Sequence, residues 1–252
     1  MAGRRARVQN AAMTVDAPGP ASSHDDDVAP LTDAQKSLRA QMLATEHWSL
    51  LASRSTTQSE VLTRIAIFLT LVSAGLVTLG VLGNATAFRG WFGVAALGVL
   101  FLLVLLGVIT QMRVFNTATE DLAYVLAMNR LRGAYLDLDP GLAPYFLTGT
   151  ADDAAGLGKT YYPFADRDRS QVFASSMMLI LIVNTALVGL FVGALLYALI
   201  GSVAWSISVG IVISIAVFVL WILRGYQTYT EAMRVHSPLR RTAEALRRTT
   251  EE

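Results

Sequence analysis

The chain has 252 residues, 54% of them hydrophobic and only 15% charged, against about 25% charged in an ordinary soluble domain. With a mean hydropathy of +0.48 and a net charge of +1, this composition points to a membrane protein and away from a nucleic-acid binder, whose arginines would form a basic face with aromatics between them. Cysteine is absent, which excludes disulfides, thiolate metal sites and cysteine nucleophiles.

Residues 1–30 carry Pro, Gly, Ser and the acidic run Asp25-Asp26-Asp27 beside His24. They are predicted to be a disordered tail with no metal site. Thr32 and Gln35 have the spacing of a capping box, so a helix starts there and continues through Leu38, Met42, Trp48 and Leu51. A second box, Thr57 with Glu60, is expected to start the first membrane helix. Glu60 and Arg64 then stand one turn apart in the favourable order for a surface ion pair.

Four stretches lack any charged residue and approach the roughly 20 residues needed to cross a bilayer. They are Ile65 to Gly83, Trp91 to Met112, Val172 to Ile200 and Val203 to Leu223. The first connection holds one basic residue, Arg89, and the third, Gly201-Ser202, holds none. All other basic residues lie before the first span, between the second and third, or after the fourth. By the positive-inside rule both termini and the central loop are cytoplasmic. The fold expected is an all-α integral membrane four-helix protein, two transmembrane hairpins with cytoplasmic helical extensions.

No Asp, Glu, Lys, Arg or His falls within a span. Intramembrane charges usually mark function, and proton-coupled transport usually needs one, so that class is disfavoured. What the spans contain is small or weakly polar. Thr70, Ser73 and Gly80 lie in the first, Asn184, Gly189 and Gly193 in the third, and Ser206, Gly210 and Ser214 in the fourth. Small residues let helix backbones approach closely. These faces therefore serve helix packing or, repeated around an oligomer, the lining of a pore.

No breaker follows the second span, so its helix is predicted to run on to about Leu138. Tyr124, Met128, Leu131, Tyr135 and Leu138 recur at steps of four and three, the seam of a short coiled coil. The partner is either the N-terminal helix or a neighbouring subunit. Asp139-Pro140-Gly141 stops the helix.

Gly156-Leu157-Gly158-Lys159-Thr160 resembles the end of a phosphate loop, but Asp153 stands where that motif needs its first glycine, and no strand precedes it. The stretch reads as a flexible cytoplasmic link, and Asp152, Asp153, Asp166 and Asp168 as solvated acids rather than a metal site. After the fourth span the helix continues to Ser237-Pro238. Leu239, Ala243 and Leu246 then alternate with Arg240, Arg241, Arg247 and Arg248, a basic helix that either lies on anionic lipid or packs on its neighbours.

The organisation predicted is thus a disordered tail over 1–30, an amphipathic helix over 31–56, a transmembrane hairpin over 57–112, a cytoplasmic helix and loop over 113–171, a second hairpin over 172–225, and a basic helical tail over 226–252. Arginine outnumbers lysine 18 to 2, the coding bias of a GC-rich bacterial genome.

The stretches "EHWSLLASR" and "MNRLRGAYL" resemble a family of bacterial four-span integral membrane proteins found mostly in GC-rich genomes, with similarity over residues 40 to 225. That resemblance implies the four-span fold and brings no catalytic or cofactor-binding residues. The layout is also similar to SLATT-type membrane effectors of bacterial conflict systems, which implies pore formation. The function expected is that of a non-enzymatic plasma-membrane protein that self-associates as a scaffold, sensor or pore-type effector. The alternatives are a small-solute transporter or channel, and then a lipid-directed enzyme. The partners expected are the lipid bilayer and further copies of the chain, without cofactor, metal or nucleic acid.

Overall fold

The computed structural model describes residues 31–164 and 175–242. The predicted tail over 1–30, the acids Asp166 and Asp168, and the residues beyond Thr242 lie outside them. Helix α1 spans Asp33–Thr86, α2 Phe92–Leu138, α3 Ala154–Tyr161, α4 Ser176–Ile200 and α5 Val203–Val235. A 3-10 turn, Pro140–Tyr145, follows α2, and no strand occurs among the described residues.

The start of α1 follows from its local chemistry. The Gln35 N–H donates to Thr32 Oγ1 at 3.3 Å, and the Thr32 N–H donates to Gln35 Oε1 at 2.9 Å. This reciprocal box satisfies two of the backbone donors that a helix start leaves over. The second box, at Thr57, starts nothing. Neither Pro nor Gly occurs between Asp33 and Arg64, so the backbone ladder is unbroken and residues 57–60 lie inside one 54-residue helix. Glu60 instead bonds the guanidinium groups of Arg64 at 2.9 Å and Arg113 at 3.0 Å. At the other end Ala87 and Phe88 take positive φ values of 50° and 57°, which folds the Phe88 ring onto Gly83. A Cβ at Gly83 would collide with that ring, so the tight turn needs glycine there.

In the apolar half α1 packs on α2, α2 on α4, and α4 on α5. The helices form a row, and α1 and α5 at its two ends make at most marginal contact among the described residues. Val61, Ile65, Phe68 and Val72 recur at helical spacing along one stripe of α1. They meet Leu100, Leu103 and Val114 of α2 and Ile180 and Leu187 of α4 in the main core. Most other apolar side chains point outward. Of the most apolar stretch of α1 only 17% is buried, and of α5 only 11%. Apolar surface on that scale is stable against hydrocarbon and not against water. The protein is an all-α, multi-pass membrane protein with four helices long and apolar enough to cross a bilayer.

Beyond the apolar half a second core forms where α2 continues. Leu122, Val125, Leu126 and Met128 pack with Leu157 of α3, and Leu50 of α1 and Met233 of α5 close over them.

Candidate functional site

The nine small or weakly polar residues of the spans fall into two groups. Six of them mediate contacts inside the chain. A Cβ at Gly189 would lie 2.8 Å from the Gly210 carbonyl oxygen, and one at Gly193 would lie 3.2 Å from that of Ser206. These glycines thus allow α4 and α5 to touch backbone to backbone. Ser214 Oγ donates across the same contact to the Thr185 carbonyl at 2.8 Å. A mainly apolar groove of about 650 Å³ runs beside it, lined by Leu100, Gly189, Tyr197, Ser206 and Gly210. Asn184 is fully buried, seated on Gly107, where a Cβ would strike its carbonyl oxygen.

Thr70, Ser73 and Gly80 behave differently. All three are exposed on α1. The hydroxyls of Thr70 and Ser73 return to the Ala66 and Leu69 carbonyls at 2.9 Å, and nothing approaches Gly80 within 4 Å. Thr63, Ala66, Val77 and Asn84 extend the same exposed stripe.

One polar residue of this interior escaped the sequence reading. Gln111 is fully buried on α2, one helical turn beyond Gly107. Neither its amide nor that of Asn184 has a hydrogen-bond partner among the described residues. A single amide in an otherwise apolar run gives no periodic signal, which is why it passed as an ordinary span residue.

On the polar continuation of α2, Met128 is buried in the second core and Tyr124 packs half-buried against it. Tyr135 lies between the rings of His47 and Phe146, with centroids 6.3 and 6.5 Å away. Leu131 and Leu138 are half-buried. The deepest stripe is offset from this seam and runs through Leu122, Val125, Leu126, Asn129 and Gly133. Asn129 and Gly133 disguised it in the sequence. Asn129 donates to the Ala151 carbonyl at 3.0 Å and accepts from Arg132 and Thr160 at 2.8 Å.

Asp152 and Asp153 correct the expectation of a solvated, flexible link. Asp152 is fully buried. Its carboxylate accepts from the Arg130 guanidinium and from the backbone N–H groups of Leu239 at 3.1 Å and Arg240 at 2.7 Å. Its own N–H donates to the Arg240 carbonyl at 3.2 Å, and His236 Nε2 lies 2.7 Å from its carbonyl oxygen. Burial opposes the charged form, but the donors from Arg240, Arg130 and Leu239 outweigh it and hold this carboxyl below the ordinary range. Asp153 caps α3 through the Gly156 N–H at 2.8 Å and also accepts from the Thr242 N–H at 2.6 Å. Adjacent carboxylates thus strap residues 239–242 onto the α2–α3 junction. Leu239 to Thr242 are accordingly non-helical, with a bend at Leu239 and Arg240, where the sequence predicts a basic helix. Ala243, Leu246, Arg247 and Arg248 lie outside the described residues.

A second hub, Asp121, joins three helices. It accepts from Arg54 at 2.6 Å, Gln58 at 2.9 Å and the Tyr161 hydroxyl at 2.7 Å. Burial would raise its pKa, but these bonds lower it on balance. Tyr161 is pushed above its ordinary value by burial and by the bond to Asp121. His47 is held below its ordinary value by burial and by nearby Arg132.

Gly156 to Thr160 therefore belong to an ordered helix. No strand precedes it among the described residues, and its first turn is capped by a carboxylate rather than left open for a phosphate. Among the described residues no group of three or more His, Cys, Asp or Glu could hold a metal ion. Comparison with protein-family models, with curated proteins and with solved structures finds no match to this chain.

Proposed function

We propose that the chain is a non-enzymatic bacterial plasma-membrane protein that self-associates through the exposed face of α1, with both termini cytoplasmic. In that assembly it acts as a scaffold, sensor or pore-type effector. One observation carries this reading. The helices form an open row, and its end helix presents Ala66, Thr70, Ser73 and Gly80 at helical spacing, exposed and with no other described residue packed on them. The small residues of α4 and α5 are already engaged within the chain, so α1 holds the face available to a second copy. Small and hydroxylated side chains suit close helix approach in lipid, where apolar burial offers no net drive.

The test is crosslinking of the protein in native-like membranes, comparing wild type with the double substitution Ser73→Leu and Gly80→Leu. Both sites are exposed, so the fold is retained while the oligomer weakens. An oligomer that persists unchanged would refute the assignment. A second reading, a small-solute channel, draws on the two partnerless amides of Gln111 and Asn184 inside the bundle. Release of a small dye from proteoliposomes, abolished by Gln111→Leu, is the outcome that reading requires.

A further inference from the structure

Beside the strap lies a cavity of about 360 Å³, lined by Gly149, Ala151, Gly156, Lys159, Arg240 and Arg241 among others. Among the described residues three cations meet there, and no carboxylate lines it. The nearby acids are committed elsewhere. Asp152 faces Arg130 and the strap backbone, Asp153 faces the Gly156 and Thr242 N–H groups, and Asp137 holds the Arg240 guanidinium. Lys159 and Arg241 make no hydrogen bond or ion pair with other described residues. The floor is built by close backbone approach. A Cβ on Gly149 would run into the Gly156 carbonyl, and a Cβ on Gly156 into the Ala151 carbonyl. The walls are fixed before any ligand arrives, since the two aspartates already pin the strap.

We infer that this cleft binds the phosphate group of a soluble small molecule between Lys159 and Arg241. Two uncommitted positive charges match a phosphate ester, which carries about −1.5 to −2 near pH 7. An arginine fork and a lysine ammonium are the usual donors to such oxygens. A lipid headgroup is the other source of that chemistry, and position argues against it. Gly133, which contacts Arg240 and the Thr150 carbonyl, lies roughly 20 residues along α2 from Arg113, about 30 Å at 1.5 Å per residue. Arg113 marks the end of the uncharged span. The bound group would bridge α3 to Arg241 and so clamp the strap from its open side. This inference is independent of self-association through α1.

The test is calorimetric titration of inorganic pyrophosphate into the full-length protein in neutral phosphatidylcholine nanodiscs. Saturable binding is expected, weakened about tenfold or more by Lys159→Glu and by Arg241→Glu. Lys159→Arg should retain it, and Arg89→Glu, in the distant α1–α2 connection, should leave it unchanged. Lys159 and Arg241 are exposed, so both reversal variants should melt as wild type does. No saturable binding, or equal binding by the reversal variants, would overturn the site. Nanodiscs with anionic lipid separate the two sources. At about 30 Å, beyond the roughly 10 Å screening length at 0.1 M salt, affinity should be unchanged, and its loss would show a headgroup in the cleft and refute a soluble ligand.

Discussion

Replacing Asp152 with asparagine removes one charge and almost no volume, so it isolates what the carboxylate does for the strap. In the wild type its two oxygens serve Arg130 and the N–H groups of Leu239 and Arg240. Asparagine keeps one acceptor oxygen and turns an NH₂ group toward the remaining donors. Removing one member of a buried charge pair costs about 3–5 kcal/mol. The Arg130 side chain is 38% exposed and can turn to water, so the lower limit, about 3 kcal/mol, applies. At 1.4 kcal/mol per tenfold, the undocked population of residues 239–242 rises about 100-fold. The opening is local, because α2 and the second core do not depend on this bond. Trypsin reads it directly, since Arg240 and Arg241 lie in the strap and cleavage of a transiently opened segment follows its open population. Mass spectrometry of the variant should show cleavage after these two residues accelerated by about two orders of magnitude, with an unchanged melting midpoint for the apolar half. Cleavage within about twofold of wild type would mean that the strap is held by something other than Asp152, and the reasoning would fail.

Three further outcomes follow from the geometry. Gly189→Ala and Gly210→Ala each force a Cβ to within 2.8 Å of a facing carbonyl and should destabilise α4–α5 packing by about 1–3 kcal/mol in thermal unfolding; Gly98→Ala, in open space, should stay within about 0.5 kcal/mol of wild type. Gln111→Leu removes a buried amide that has no partner and should leave stability unchanged or raise it by up to about 3 kcal/mol, whereas a clear loss would reveal a bonded partner. Acidification should act first through His47, whose folded pKa lies below 6.5. The unfolded chain takes up that proton more readily, so stability present above pH 6.5 declines as pH falls through the folded value. Melting midpoints across this range should fall in the wild type and flatten in His47→Asn. Asp152, depressed below 3.8, adds a further loss only under more acid conditions.

The parts of this fold legible from the sequence are those encoded within a few residues. Uncharged runs gave the four spans. The reciprocal spacing of Thr32 and Gln35 gave the start of α1, and Asp139-Pro140-Gly141 gave the end of α2. Thr57 and Glu60 have the same local pattern and start nothing, because a capping box is used only where the preceding backbone leaves the helix. Asp152 failed in the opposite direction. Its neighbours are small, so locally it looks like a loop acid, and the donors that bury it come from the chain 87 and 88 residues away. No local pattern carries contacts of that range. The small-residue faces were visible as a class, but which of them are used inside the chain depends on which helices sit next to each other. That order emerges only with the fold.

The absence of a break in α1 has a mechanical consequence. Its segment from Asp33 to Glu60 is about 40 Å of helix at 1.5 Å per residue, rigidly continuous with the stretch that crosses the apolar half. Arg54 and Gln58 bond Asp121 of α2, so this arm and the continuation of α2 move together. A tilt of about 10° within the bilayer displaces the arm's far tip by about 7 Å, with no joint to absorb it. Bilayer thickness or crowding would in this way be translated into the position of the N-terminal end.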